Sequence, residues 1–362
     1  MLNNGSLKTR EIVAILSLFL GMKLADSTPS LLAQKSQNGF WLVPILSFFI
    51  LLPSFLLIMY LLKKYKDKNL IELMEAILGK WFGKALGLLF FTFVFLSLSL
   101  DSRNYVEQIK ILYFPESPTK VIFFIFIGIA FFGAKKGIEV IGYTSWIAFP
   151  LIKFSVTLVF LLIFGKIIIQ RIFPIFGSGI DILMLEGLQK ASIFSEIFII
   201  LIAYTATKET KKFRHGVYLG SIFAFLEIIL FYFIYTTVFD YNSIQKVAFP
   251  FHDITQYIQF GEFFTNIETI FMVFWLFAAY LRFIIFLYLI TMIFGAIFEI
   301  KKFEPLLLPF SFLSIMIGLL PLNSISNELF LRETLFMIMS PFLILLPVLL
   351  WIVALSKGEL RS

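Results

Sequence analysis

Lys23 and Asp26 stand in the stretch "FLGMKLADST" (Phe19 to Thr28), with apolar sequence on both sides. An ionised side chain deep in a bilayer costs about 2.5–3.5 kcal/mol on insertion scales, so each needs a partner or a wet cavity. One chemistry is ligand binding. If Gly21, Met22, Lys23, Ala25 and Asp26 interrupt the helix, the break offers N–H groups and a positive dipole end to a carboxylate. Its carbonyls can accept from an ammonium group. Lipid satisfies neither, so the break must face a protein-lined cavity. The other reading is plainer: Gly21 relieves packing, and Lys23 and Asp26 form a structural ion pair.

A second interruption lies in "KASIFSEIF" (190–198), where Ser192, Ser195 and Glu196 break an apolar run. Glu196 is expected either to pair with Lys23, taking part in a gate or in ammonium binding, or to fix helix register as a buried ion pair. Arg282 falls near the centre of "FAAYLRFIIF" (277–286), with Phe286 one turn further. A central arginine requires an acidic partner, and Asp26 or a ligand carboxylate is the natural one. Arg103 and Glu107 are spaced i,i+4 and are expected to pair structurally. Lys153 and Glu227 lie within apolar runs but belong to no motif.

The elements that must position these groups are membrane helices. Of the 362 residues 60% are hydrophobic and 15% charged, and 48 are phenylalanine. That is far from a soluble composition. Apolar runs of about 18 or more residues recur, each long enough to cross a bilayer core. The chain has no cysteine, and its two histidines, His215 and His252, are far apart. No thiol chemistry or histidine metal site is expected, and no cofactor. The formal charge of +7 sits beside apolar segments, as topology signals do, and does not point to nucleic acid.

Ten spans are expected, at roughly 10–33, 39–62, 84–112, 119–134, 138–164, 191–207, 217–239, 266–299, 305–321 and 334–356. The first is read as a retained helix, since no small-x-small cleavage site follows it. With both ends cytoplasmic, the inside segments hold Lys8 and Arg10, "KKYKDK", Lys135 and Lys136, "KETKKFR" and Lys301 and Lys302, as the positive-inside rule asks. A short surface helix is expected at 69–87, broken at Gly79. The stretches 165–190 and 240–265 are expected to be outer loops or short helices over an entrance. Ten spans divide into halves, 10–164 and 191–356, of opposite orientation. The two polar interruptions then fall in the first helix of each half. Inverted-repeat transporters place their substrate site between such broken helices.

The chain resembles the B subunits of spore germinant receptors, a branch of the amino acid/polyamine/organocation transporter superfamily. The features that carry this are "LGMKLADSTPSLL", "GFWLVPILSFFI", "ILGKWFGKALGLL", "SLDSRNYVEQIKILYFPESPTKVI", "KKGIEVIGYTSWIAFP" and "TNIETIFMVFW". The resemblance implies an all-α, five-plus-five inverted-repeat fold of the leucine-transporter type, with first and sixth helices broken. It implies a germinant site on the first, third, sixth and eighth helices, to which Phe93 and Ser97 match, as do Arg282 and Phe286. It implies an integral protein of the endospore inner membrane that binds a small-molecule germinant, usually an amino acid, and acts with A and C subunits. Lys23 and Asp26 depart from the small apolar break usual in that family. An ion-coupled amino acid permease is the alternative, and a membrane-embedded enzyme is disfavoured because no His, Cys or acid cluster marks one interface.

Overall fold

The computed structural model describes residues 7–207, 209–258 and 267–360. Lys208 of the basic run "KETKKFR", the end of the 240–265 segment and the first two residues of "TNIETIFMVFW" therefore lie outside the described residues. Among the described residues there is no strand.

The first apolar run is interrupted where its polar residues stand. Helix α1 (Thr9–Gly21) ends at the glycine, a 3-10 turn covers Met22–Leu24, and α2 (Thr28–Ser36) resumes with Pro29 in its first turn. Proline suits that position because its missing N–H is an orphan there anyway. A 3-10 stretch, Gln37–Leu42, leads into α3 (Val43–Lys64). The amphipathic α4 (Leu70–Leu78) is capped by Asn69, whose side chain accepts from the amides of Ile71 and Glu72. Gly79 then turns the chain at φ 87° into α5 (Lys80–Tyr113), as the sequence suggested. Helices α6 (Thr119–Ala134) and α7 (Gly137–Ile163) follow.

The segment 165–190 is more ordered than a loop. Glycines at 177 and 179 take positive φ and admit α8 (Ile180–Gln189), which runs directly into the second interruption. The expected span at 191–207 is thus only the latter part of a broken helical run that begins at Ile180. It consists of a 3-10 turn at Ala191–Phe194, the short α9 (Glu196–Ile199) and a 3-10 stretch at Ile200–Ala206. Next come α10 (Thr210–Val238), two short helices α11 (Tyr241–Ile244) and α12 (Pro250–Gln256), then α13 (Ile267–Ile297) and α14 (Leu307–Gly318). The last run starts about ten residues earlier than expected. It comprises α15 (Ser324–Ser326), a π turn over Asn327–Arg332 and α16 (Glu333–Ser356).

Among the described residues, six helical runs are long and apolar enough to cross a membrane, and three shorter apolar ones accompany them. The outward face of α7 is apolar, with Tyr143, Ile147, Leu151, Phe154 and Leu161 exposed, as a lipid-facing side requires. At the centre α1 packs against α10, α7 and α13. Its approach to α10 depends on Gly216 and Gly220, a small-xxx-small pair. A Cβ on Gly216 would lie 2.8 Å from Ile12 Cβ, and one on Gly220 3.1 Å from Leu16 Cβ. Close backbone approach through such pairs is how helices associate where no hydrophobic drive separates them from lipid.

Candidate functional site

The break in the first run frees backbone carbonyls, and named side chains take them up. Tyr232 donates to Lys23 O at 3.0 Å, Tyr235 to Leu24 O at 2.7 Å and Tyr105 to Met22 O at 3.4 Å. Arg282 Nη1 donates to Phe19 O. At the start of α2 the Thr28 amide donates to Asp26 Oδ1 at 2.8 Å. The expectation that these carbonyls stand open to a ligand ammonium is therefore corrected. In this conformation three tyrosines and an arginine occupy them.

The second break is tied to the last helix. The Ser192 amide donates to Ser340 Oγ at 2.9 Å, and Ser192 Oγ donates to Phe336 O at 3.1 Å. Ser340 Oγ donates in turn to Gln189 O at 2.8 Å, so α16 satisfies both sides of the gap. Ser195 Oγ lies 3.5 Å from Glu196 Oε2.

Between the two breaks the ionised groups form one buried network. Lys23 Nζ lies 3.5 Å from Glu196 and 3.6 Å from Asp101. Arg282 Nη2 lies 2.7 Å from Glu196 and 2.8 Å from Asp101. Arg332 reaches Asp101 at 3.0 Å, Asp26 at 3.1 Å and Glu328 at 2.7 Å. The Lys23–Glu196 pairing across the two breaks is as expected. The proposed Arg282–Asp26 pair is not formed: Asp26 pairs with Arg332, and Arg282 takes Asp101 and Glu196. The physical reason is the 3-10 turn at Met22–Leu24, past which the chain turns Asp26 away from α13 toward the last helix. Nor do Lys23 and Asp26 pair with each other, since each has its partners on other helices. Arg103 and Glu107 pair at 2.7 Å, as their spacing suggested.

Seven of the sequence candidates line two small cavities. Lys23, Ser97, Ser195 and Glu196 line one of about 10 Å³, with Asp101, Arg332, Leu335 and Phe336. Gly21, Met22 and Ala25 line another of about 20 Å³, with Ser17, Lys153 and Trp275. Each has room for about one water, so neither admits an amino acid in this conformation. Phe93 stands apart from both and packs edge-on against Phe342, ring centroids 5.4 Å apart. Phe286 packs edge-on against Phe19 at 4.9 Å, and the Arg282 guanidinium lies 5.8 Å from its ring. Lys153 and Glu227 pair at 2.5 Å beside Gly21, where an added Cβ would meet both side chains.

Asp101, Arg332 and Glu328 belong to the network and were missed. Asp101 sits in "LDSR", where attention falls on the arginine. Arg332 and Glu328 read as part of a polar loop. The signal available was the i,i+4 spacing of Glu328 and Arg332 beside an apolar run.

All helical among the described residues, with broken runs meeting at a buried ionic centre, the chain has a fold that solved membrane transporters share. A Na⁺-coupled sialic acid symporter superposes with a TM-score of 0.62 at 14% identity, over 93% of this chain and 78% of that one. Mhp1, a nucleobase-cation-symport-1 family transporter, gives 0.61 at 15%, over 95% and 81%. The chain belongs to the Spore germination protein family, which it matches over residues 7–327. Among its relatives in Bacillus subtilis (strain 168), spore germination protein YfkT is 25% identical, over 95% of this chain and 94% of its own. Spore germination protein KB is 21% identical over 98% and 95%. The expected family is thereby shown, and the chain is an integral membrane protein.

Proposed function

We propose that this chain is the germinant-sensing subunit of a spore germination receptor. It sits in the inner membrane of the endospore with both ends cytoplasmic, and it signals to A and C subunits. In this reading the helices form ten spans in two inverted halves, the second beginning at α8, and the germinant is a small molecule such as an amino acid. The residues proposed to receive it are Gly21, Met22, Lys23, Ala25, Asp26, Phe93, Ser97, Ser192, Ser195, Glu196, Arg282 and Phe286.

One observation carries the reading: Lys23, from the first break, and Glu196, from the second, meet at 3.5 Å within a single buried network. In this conformation every carboxylate of the network has a cationic partner. A zwitterion brings one ammonium and one carboxylate, which can replace an internal pair without changing the net charge. A ligand shifts a conformational equilibrium only by its difference in affinity between the two states. Exchanging internal pairs for ligand pairs supplies such a difference, because it must separate the elements that the pairs join.

The test is germination of spores lacking the chain against a panel of amino acids, nucleosides and sugars. Loss of response to one class is expected, with no uptake by the purified chain in proteoliposomes. Robust uptake of labelled amino acid by the chain alone would assign an ion-coupled permease instead.

A further inference from the structure

A third cavity is of another size. It measures about 560 Å³ and is lined from α2, α5, the 245–249 connection and the start of the last helical run. That volume falls within the range of small-molecule sites. Its floor holds Glu328, Asn104 and Ser27, and its walls are apolar, with Leu31, Ile111, Phe249, Ile325 and Leu329 among them. The 245–249 connection is tethered over α2: Ser30 Oγ donates to Val247 O at 2.5 Å and Gln34 to Gln245 O at 2.9 Å.

The charge at this floor is not balanced. Among the described residues, four carboxylates (Asp26, Asp101, Glu196 and Glu328) share three cations (Lys23, Arg282 and Arg332) in one connected network, leaving one negative charge over. Asp26, Asp101 and Glu196 are nearly inaccessible, whereas Glu328 lines the large cavity, so the surplus surfaces there. Glu107 adds nothing, being matched by Arg103. Glu328 itself accepts from Arg332 Nη1 and from the amide of Asn104. Asn327, fully buried next to Glu328, gives its amide hydrogens to Asn104 Oδ1 and Leu100 O, while its own Oδ1 has no donor. Lys246 is exposed on the cavity wall, where water and salt screen it.

We propose that this vestibule is a binding site, separate from the midplane one, for a small solute carrying a primary ammonium on an apolar body. The ammonium docks on Glu328 and completes the charge of the network, and the apolar body lies against Leu31, Ile111 and Leu329. The occupant draws Glu328 away from Arg332, so the vestibule and the buried network respond to one another.

Purified chain in nanodiscs, titrated with 3-methylbutylammonium and with 3-methylbutan-1-ol, tests this through thermal shift and calorimetry. The two probes share one apolar body and differ in head-group charge. Saturable binding of the ammonium is expected, at least tenfold tighter than the alcohol and weakening with salt. Glu328→Gln should cost tenfold or more. Ile325→Trp, which narrows the cavity and leaves every ion pair in place, should weaken binding even if the first variant folds poorly. Equal affinity for the two probes, or undiminished binding in Ile325→Trp, would overturn the proposal. Because the measurement uses the isolated chain, its failure leaves the germination phenotype of a deletion strain, and the receptor reading, untouched.

Discussion

Arg332 Nε lies 3.0 Å from Asp101 Oδ1, so a guanidinium at the head of the last helix is locked to the middle of α5. Both groups are nearly inaccessible to solvent. Removing one partner of a buried pair leaves an uncompensated charge and costs about 3–5 kcal/mol. Arg332→Gln strands two carboxylates, Asp26 and Glu328, whereas Asp101 keeps Lys23 and Arg282. The expected outcome is a large drop in the thermal midpoint of the detergent-solubilised protein, partly restored by adding Asp26→Asn. An unchanged midpoint would show the pair to be idle.

Asp26→Asn is a gentler change. The amide oxygen can still accept from the Thr28 N–H, so the start of α2 is retained and only the charge facing Arg332 is lost. Membrane insertion should be normal while the germinant dose midpoint in spores moves by about tenfold, equivalent to about 1.4 kcal/mol. A superimposable dose curve would make this carboxylate purely structural.

The tyrosines that close the first break give a further test. Tyr232→Phe and Tyr235→Phe each leave a buried carbonyl, Lys23 O or Leu24 O, without its donor. Such a loss costs about 1–3 kcal/mol. Faster hydrogen exchange is expected across residues 22–28, with little change in α5 or α6. Exchange that quickens uniformly, or not at all, would contradict it.

Gly216→Ala should push α1 off α10, because the new methyl would lie 2.8 Å from Ile12 Cβ and 3.0 Å from the carbonyl oxygen of Thr9. Overpacking of this kind costs about 1–3 kcal/mol. Gly128→Ala, which meets nothing within 4 Å, is the matched control and should be silent in the same thermal assay.

Asp253 lies in α12, outside the spanning helices, and burial pushes its carboxyl up to about 6. The folded state therefore binds this proton more tightly than the unfolded chain does. Its contribution is fully favourable below the ordinary aspartate range and is lost as pH rises toward and through 6. Thermal stability should fall over that interval in the parent and stay flatter in Asp253→Asn. Identical pH profiles would show that the carboxyl ionises freely.

The sequence made part of this structure legible, and the boundary has physical causes. A glycine followed by a lysine and an aspartate inside an apolar run can be reconciled with lipid only by a break, so the interruption at 21–28 was readable. The same logic found the Lys23–Glu196 meeting, because each was the conspicuous charge in its own run. Spacing along one continuous helix gave Arg103–Glu107 directly. What failed was azimuth beyond a break. Once the chain leaves α-helical geometry at Met22, periodicity no longer says which way Asp26 faces, and Arg282 was matched to the wrong acid. The three tyrosines were silent because hydroxyls in an aromatic-rich chain have no distinguishing pattern. A short helix such as α8 was among the forms expected for 165–190, but its continuity with the second break was hidden by Pro174, Gly177 and Gly179 just before it, which punctuate as a loop does.

The π turn at Asn327–Arg332 has a bearing on how relatives are compared. A wide turn of this kind is in effect one residue inserted into a regular coil. Each residue of an α-helix advances the heading by roughly 100°. A homologue lacking the insertion would present everything after Glu333 rotated by about that angle, so that side chains aligned by column would point at different neighbours. Along α16, therefore, a gap of one position is a change of facing, and matching lining residues there demands superposed coordinates, not paired letters.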